Sequence, residues 1–356
     1  MKKIGLILLS VIFLVYGYLG YDTVRTYMQY DVTVKTSARL SDIAGKVVSV
    51  PLETPGNGVI RQIRRVQADG DCLFMLSDQR LLQFDFSGKF IRQLTASAHD
   101  SEVFIADYTL DTDRRLVVII DSQRNCHNYD YYGNLLSTSR LEQPWRKLTA
   151  FAYHNRTFWV TAEKLVKSRE NPDEFQIIHS LYQLDANMHE IASQRLHVAD
   201  VGRNRVFESY HADELLADDY GVYAYASPGN MDYLLHDTLY ITHRQEIPLL
   251  HTGGHFGSAC IYPVRKGKRY QIATNHQAID DHYSFFYDRI DHTAYCLSKG
   301  FKDDLHKTGY VADLQPMDIH NHSYCYLKSG AELSKKFPDR AKNNDSPVLF
   351  IVTLKT

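Results

Sequence analysis

Three side chains of metal-binding type alternate along one short segment near the end of the sequence. Asp318, His320 and His322 occupy every second position, so in a β-strand all three would point to the same side. Carboxylate oxygens and imidazole nitrogens are common ligands of zinc and other divalent metals. Their neighbours Asn321 and Ser323 are polar, and triplets of this kind also occur in hydrated loops. We therefore favour a solvated loop and assign no metal ligand.

Two further clusters combine carboxylates with histidine, as acid–base catalysis or metal binding would require. The clusters are Asp280-Asp281-His282, and Asp303-Asp304 with His306. The paired carboxylates of glycosidases come from distant points of a chain, so spacing alone neither identifies nor excludes them. Because both clusters fit solvated loops better, we assign no catalytic, cofactor-binding or metal-binding residue and expect no cofactor.

Signatures of well-known catalytic sites are absent from the sequence. It contains no G-x-S-x-G, H-E-x-x-H or P-loop, and HTGGH at 251–255 lacks the strand-to-helix context of a phosphate-binding turn. The densest basic cluster, RKGKR at 265–269, has a central glycine and fits a hairpin tip. Lys plus Arg number 40 and Asp plus Glu 42, so the net charge of −2 gives no overall field toward nucleic acid or anionic lipid. We expect no nucleic-acid partner.

The N-terminus has the charge and hydropathy pattern of an export signal. Lys2 and Lys3 precede an apolar run over residues 4–21, which is nearly long enough to span a bilayer as a helix. Since lysines favour the cytoplasmic side, we predict an inner-membrane anchor with the rest of the chain in the periplasm. Cleavage after Gly17 is the alternative, and it would release the protein into the periplasm.

From residue 45 onward the chain alternates short apolar runs with turn residues, which predicts an all-β structure. The clearest unit contains three such runs between residues 72 and 94. Within it, FDFSGKF at 84–90 is matched by YDYYGNL at 129–135, a spacing of 45 residues. A repeat of this length is typical of β-propeller blades.

The length of the β region favours six blades. Roughly 310 residues divide into six units of about 52, the usual size of a four-stranded blade with its loops. Seven units would need about 44 residues each, and the segments 164–174 and 196–205 look like long loops. A pair of β-sandwich domains is the alternative architecture.

The two ends of this region predict how the ring closes. KVVSVPL at 46–52 and VLFIVTL at 348–354 are both rich in strand formers, and pairing them in one blade would remove an exposed edge. Ser329 and Glu332 have the spacing of a capping box, which predicts one short helix before the last strand. The predicted organisation is a signal anchor or signal peptide over 1–21, a linker over 22–44 and a six-bladed β-propeller over 45–356.

Several segments resemble a known family, the six-bladed β-propeller proteins of Bacteroidetes, which are similar to NHL-type propellers and mostly of undefined function. The matching segments are VSVPLE at 48–53, the turn unit at 84–94, DTLY at 237–240 and SPVLF at 346–350. The resemblance covers residues 45–356. Two features depart from it: no cysteine precedes Cys72 to serve as a lipid attachment site, and TASAHDSEV replaces a Gly-rich turn at 95–103.

These observations give two main hypotheses of function. The first is a non-catalytic binding or interaction module of the cell envelope, whose partner would be an envelope protein or a glycan. The alternative is a periplasmic hydrolase or lyase acting on carbohydrates or esters, since a propeller can also carry catalytic groups. A third hypothesis is a structural partner in a membrane complex, which a large exposed apolar patch would indicate.

Overall fold

The computed structural model of the chain is a ring of small β-sheets. Within the described residues, six sheets have four strands each and one further sheet has three. This arrangement is a propeller and not a pair of sandwiches. The structure describes residues 32–54, 60, 63–94, 103–168, 175–201, 214–218, 221–225, 238–241, 246–248, 270–278, 281–288, 290–291, 293–312, 314–320, 322–334 and 347–356.

Blades 1 and 2 are the two units that the 45-residue repeat predicts. Each is a meander of four antiparallel strands joined by short connections. Blade 1 consists of β4 (Ile63–Asp69), β5 (Cys72–Ser77), β6 (Arg80–Asp85) and β7 (Phe90–Leu94). Blade 2 consists of β8 (Ile105–Asp111), β9 (Leu116–Asp121), β10 (Asn125–Asp130) and β11 (Leu135–Arg140).

Blades 3 and 4 follow the same order. Blade 3 consists of β12 (Lys147–His154), β13 (Thr157–Lys167), β14 (Phe175–Leu184) and β15 (Glu190–Val201), and blade 4 of β16 (Glu214–Asp218), β17 (Gly221–Tyr225), β18 (Thr238–Ile241) and β19 (Glu246–Pro248). The long loops expected at 164–174 and 196–205 are partly wrong, because residues 164–167 and 196–201 extend strands of blade 3. Residues 164–167 pair with residues 175–178 of β14, and residues 197–201 pair with residues 175–179 of the same strand.

Blades 5 and 6 are each completed by a strand from the N-terminal part of the chain. Blade 5 consists of β20 (Tyr270–Ala278), β21 (Asp281–Asp288), β22 (Thr293–Leu297) and β1 (Val32–Lys35). Blade 6 consists of β25 (Gln315–Pro316), β26 (Ser323–Lys328), β27 (Val348–Leu354) and β3 (Ala44–Pro51). The predicted closure is confirmed, because β3 pairs antiparallel with β27, with Pro51 opposite Val348. In blade 5, β1 instead runs parallel to β22.

A small sheet and two short helices fill the space beside blades 5 and 6. The sheet contains β2 (Ala38–Arg39), β23 (Phe301–Asp303) and β24 (Gly309–Val311), and the helices are α1 (Leu40–Ile43) and α2 (Gly330–Ser334). The predicted capping box precedes α2: Ser329 Oγ accepts from the Glu332 N–H at 3.2 Å, and Glu332 Oε2 accepts from the Ser329 N–H at 2.9 Å.

The C-terminal part of the predicted linker is built into the ring. Residues 32–44 of the segment 22–44 form β1, β2 and α1 and begin β3. The predicted anchor over residues 4–21 lies outside the described residues. No helix in the described part of the chain is long and apolar enough to cross a membrane.

The strands of each blade are called A to D in sheet order, from the centre of the ring outward. The A strands of neighbouring blades lie beside each other, as β8 and β12 do. Apart from β1 in blade 5, successive strands run antiparallel, so the turns from A to B and from C to D lie at one end of the ring, the AB face. The B to C turns and the links between blades lie at the opposite end, the BC face.

The hydrophobic core lies between the blades. Both sides of a central blade strand are covered by the neighbouring blades, so β5 and β9 are nearly continuous apolar runs that are buried almost throughout. In the described part of the chain, apolar clusters join blade 6 to blade 1, 1 to 2, 2 to 3, 3 to 4 and 5 to 6. Where the structure describes both neighbours, this packing holds adjacent blades together.

Candidate functional site

The centre of the AB face is occupied by the turn between strands A and B of blade 6. Strand A of this blade, β25, has only two residues, and residues 317–320 continue from it across the ring. The N–H of Ala217, in strand A of blade 4, donates to Ile319 O at 3.0 Å. Ile319 also packs against the apolar cluster between blades 3 and 4. We call the segment Met317–His322 the central loop.

Asp318 fixes the shape of this loop. Its carboxylate accepts hydrogen bonds from the N–H groups of His322 and Ser323, at 3.1 and 2.9 Å. These contacts satisfy backbone donors within the turn, as aspartates in turns commonly do. The expectation of a fully solvated loop is therefore wrong in part, because Asp318 and His320 are only partly exposed and His320 contacts another blade.

Three imidazole rings meet where the central loop crosses blade 3. His154, the last residue of β12, lies edge-on to His320 with the ring centroids 5.3 Å apart. The rings of His320 and His322 are nearly parallel, with centroids 5.7 Å apart. His320 Nδ1 is 3.2 Å from the Ala217 carbonyl oxygen, which can only accept, so this nitrogen carries the proton. In the neutral ring Nε2 then keeps its lone pair and can accept a hydrogen bond.

A two-residue turn that contains Arg156 directly follows His154. Asn155 and Arg156 both have positive φ, 49° and 62°, which is the conformation of a type I′ hairpin turn. Such a turn prefers glycine at its second position, yet an arginine stands here. Both residues are exposed, so the guanidinium group adds a positive charge to the AB face next to His154.

Tyrosine–aspartate hydrogen bonds brace neighbouring blades on the same face. The Tyr153 hydroxyl donates to Asp113 at 2.7 Å, and the Tyr131 hydroxyl donates to Asp69 at 2.7 Å. Burial, together with the nearby carboxylates, raises the pKa of both phenols above the ordinary value. Both hydroxyl groups therefore stay protonated at neutral pH and act as donors. Arg115 lies over the Tyr131 ring, 5.3 Å from its centroid.

Inside the ring, a salt bridge links strands A of blades 1 and 2. Arg65 Nη1 donates to Asp107 Oδ2 at 2.8 Å, and both side chains are mostly buried. Arg64 donates to the Ile105 carbonyl oxygen at 3.0 Å. These contacts join the two inner strands by charged hydrogen bonds.

The cluster of Asp303, Asp304 and His306 has a structural role and lies apart from the central loop. Asp303 is buried and accepts from the N–H groups of Leu305, His306 and Thr308 and from the Tyr326 hydroxyl. Burial would raise the pKa of Asp303, but these hydrogen bonds outweigh it and lower the pKa. Asp304 accepts from the Ser41 N–H at 3.0 Å. The expectation of a solvated loop is thus wrong for this cluster, which holds α1 against blade 6.

The remaining sequence candidates are only partly described. Asp281 and His282 lie on β21, with His282 opposite His276, whereas Asp280 lies outside the described residues. The segments 251–255 and 265–269 also lie outside them. Among the residues that the structure describes, no three His, Cys, Asp or Glu side chains are arranged to hold a metal ion.

Sequence reasoning missed His154, Arg156 and the two bracing tyrosines. The available signal was the strand-like run KLTAFAYH at 147–154 followed by Asn155-Arg156, which predicts a hairpin whose first strand ends at the histidine. The contact between Ile319 and Ala217 joins residues about 100 positions apart, and no local pattern indicates it.

The chain is similar to several solved structures. A Bacteroides fragilis protein inferred to be exported aligns over 91% of this chain and 100% of its own, at 15% identity and a TM-score of 0.58. U3-55K aligns over 87% of this chain and 99% of its own, at 10% identity and a TM-score of 0.42. The Neurospora crassa Pan2 WD40 domain aligns over 83% of this chain and 76% of its own, at 9% identity and a TM-score of 0.39. At such identities the first of these likenesses shows the fold alone.

Sequence comparison identifies the family. No curated protein matches the chain significantly in sequence. A family model described as a 6-bladed β-propeller matches residues 26–214, more than half of the 356 residues. This match confirms the family resemblance seen in the sequence. The chain belongs to the DUF5128 family of six-bladed β-propellers.

Proposed function

We propose that this propeller is a non-catalytic binding module of the bacterial cell envelope, and that it binds through the centre of its AB face. The observation that carries the proposal is the central loop, which reaches from blade 6 to blades 3 and 4 through the hydrogen bond between Ala217 and Ile319. A loop held on both sides needs little further ordering when a partner binds, and pre-ordered surfaces bind more tightly for that reason.

The side chains around the loop suit a partner rich in hydroxyl and carbonyl groups. His320 offers an acceptor nitrogen, exposed His322 offers a second imidazole, and Arg156 offers a cation with several donors. Tyr153 and Asp113 add a fixed polar pair nearby. Glycans and polar protein surfaces both present the matching groups, so the partner class is an envelope glycan or protein.

We place the propeller on the periplasmic side of the inner membrane, held by residues 4–21. Lys2 and Lys3 ahead of a long apolar run support this location. The Bacteroides fragilis protein with a similar fold is inferred to be exported, which supports an envelope location as well. After osmotic shock, we expect full-length protein in the membrane fraction; soluble protein with a mature N-terminus at Tyr18 would show that the signal is cleaved.

Binding without turnover can be tested on the purified chain. We expect it to bind to a glycan array or to retain an envelope protein, and to leave glycosidase, lyase, esterase and phosphatase substrates unchanged with or without divalent metals. Replacing both His322 and Arg156 by alanine should abolish binding, whereas alanine at exposed His189 should not. Robust turnover that these two replacements abolish in a folded protein would overturn the proposal in favour of a periplasmic hydrolase or lyase.

A further inference from the structure

Basic side chains gather on the outer surface where the N-terminal strands join blade 5 and the small sheet. The overall charge of the chain is nearly balanced, so this gathering is a local asymmetry. We call the surface the basic rim. It consists of Lys35, Arg39, Lys299, Lys302 and Lys355, together with Tyr310.

The strand register places three of these residues in one row. In the small sheet, Arg39 lies opposite Lys302, and Lys302 lies opposite Tyr310. All three are exposed, while Phe301 and Val311, the adjacent residues in their strands, are buried. The row therefore forms the outer face of the sheet, and its inner face packs on the core.

Two lysines lie against tyrosine rings at this rim. Lys35 Nζ is 3.8 Å from the centroid of Tyr295, and Lys299 Nζ is 5.6 Å from the centroid of Tyr310. The chain connects the two sites directly, because Lys35 O accepts from the Ser298 N–H at 3.2 Å. Tyr310 is 44% exposed, and tyrosine beside lysine is a combination typical of the membrane–water interface.

Carboxylates near the rim are engaged in structural contacts. Asp42 forms an ion pair with Arg39 at 2.9 Å, and Asp304 accepts from Ser41. Lys355 Nζ donates to the backbone oxygens of Ser41 and Asp42. Among the described residues, no carboxylate forms an ion pair with Lys35, Lys299 or Lys302, so these charges add to one another in solution.

The rim lies close to the point where the predicted anchor is attached. Val32 begins β1, and residues 22–31 separate it from the end of the apolar run. Ten residues reach at most about 35 Å when fully extended. The anchor would therefore hold the rim of blades 5 and 6 near the bilayer, while blade 2 lies on the opposite side of the ring.

We propose that the basic rim docks on the anionic lipid headgroups of the bilayer that holds the N-terminal anchor. Lysine and arginine near a membrane are attracted to anionic lipids within a short screening distance, and the tether supplies that proximity. The proposal rests on the anchoring proposed above. Docking would fix the orientation of the ring and leave the blades opposite the anchor facing the periplasm.

The test uses the full-length chain reconstituted into vesicles of phosphatidylcholine alone or with one-quarter phosphatidylglycerol. A fluorophore is introduced through an unnatural amino acid at exposed Ser298 or, in the opposite blade, at exposed Gln123, and energy transfer to a lipid dye is measured. We expect phosphatidylglycerol to increase transfer from position 298 at least twofold and to leave transfer from position 123 unchanged or lower. Replacing Lys299 and Lys302 by glutamate should abolish the increase.

The matched control replaces Lys89 and Lys147, exposed lysines of blades 1 and 3, by glutamate, which changes the net charge equally. We expect this variant to keep the phosphatidylglycerol effect. Equal transfer with and without phosphatidylglycerol, or equal loss in both charge variants, would overturn the docking proposal. Failure of the chain to float with phosphatidylcholine vesicles, with the phosphatidylglycerol effect intact, would instead overturn only the anchor.

Discussion

Aspartates are the residues that shape the turns of this propeller. Asp85, Asp130 and Asp185 lie at the end of strand C of their blade, and each accepts N–H groups two or four residues further on. At the third residue after the aspartate, blades 1 and 2 have Gly88 and Gly133 with φ of 85° and 84°. In blade 3 a methionine takes this position, also with positive φ, which explains why its repeat looks weak in the sequence.

Gly88 is the position at which this turn tolerates substitution least. A Cβ added there would lie 1.8 Å from the Pro51 carbonyl oxygen, and the Gly88 carbonyl accepts from the Glu53 N–H at 2.8 Å. We expect Gly88→Ala to destabilise the protein by about 3 kcal/mol or more, from backbone strain and the forced shift. Gly70 also has positive φ but open space, so Gly70→Ala should cost only about 1–2 kcal/mol. Equal losses in urea unfolding would contradict this explanation.

The turn aspartates also make stability depend on acid. Hydrogen bonds from Ser87, Asn134 and His189 lower the pKa values of Asp85, Asp130 and Asp185. A carboxyl whose folded pKa is depressed stabilises the fold above its unfolded pKa, about 3.9, and loses that contribution as the pH falls through the folded value.

We therefore expect that these three aspartates do not change the Tm between pH 5 and 7. Below about pH 4 the Tm should fall steeply. Asp121, whose pKa is lowered by hydrogen bonds from His127 and Asn125 despite burial that would raise it, provides a check. At pH 7, Asp121→Asn should have a lower Tm than the unchanged protein, and its Tm should fall less on acidification. A Tm that stays constant to pH 3 would contradict the account.

At the scale of elements, the closing strand pair carries much of the stability of the ring. Leu349 in β27 is fully buried between blades 6 and 1, whereas Leu136 in the outer strand β11 is 57% exposed. We expect Leu349→Ala to cost about 2–5 kcal/mol and Leu136→Ala to stay within about 0.5 kcal/mol. Thermal and urea unfolding of both variants measure this difference.

Removing the last nine residues should open or aggregate the ring, and a truncated monomer with unchanged Tm would contradict the closure.

Much of this element structure could be predicted from sequence, because alternation and turn residues are local signals. The repeat of blades 1 and 2, the pairing of residues 46–52 with 348–354 and the capping box of α2 are all confirmed. The parallel strand β1 was missed, since a four-residue strand inside an apparent linker has no flanking turn signal. The candidate site was predicted least well. Its central loop depends on contacts between opposite blades, which only the closed ring creates.

At the scale of the whole molecule, the central loop ties opposite sides of the ring together. Asp318→Ala removes the acceptor for two N–H groups of the loop, so we expect the loop to open more often. Hydrogen exchange of the Ala217 amide, which donates to Ile319, should become faster on the order of tenfold, since each hydrogen bond contributes about 1 kcal/mol. Asp71→Ala, the same change in the first turn of blade 1, should leave this amide unaffected. Unchanged exchange in Asp318→Ala would show that the loop is held independently.

Binding through the centre of the AB face is the central claim, and site-specific photo-crosslinking in intact cells tests it most directly. A photoreactive amino acid is placed at exposed Asn155 on the AB face or at exposed Gln123 on the BC face, each in the full-length chain. We expect a discrete crosslinked species, protein or glycan, from position 155 and none from position 123. A species formed from position 123 alone, or equally from both positions, would contradict the claim.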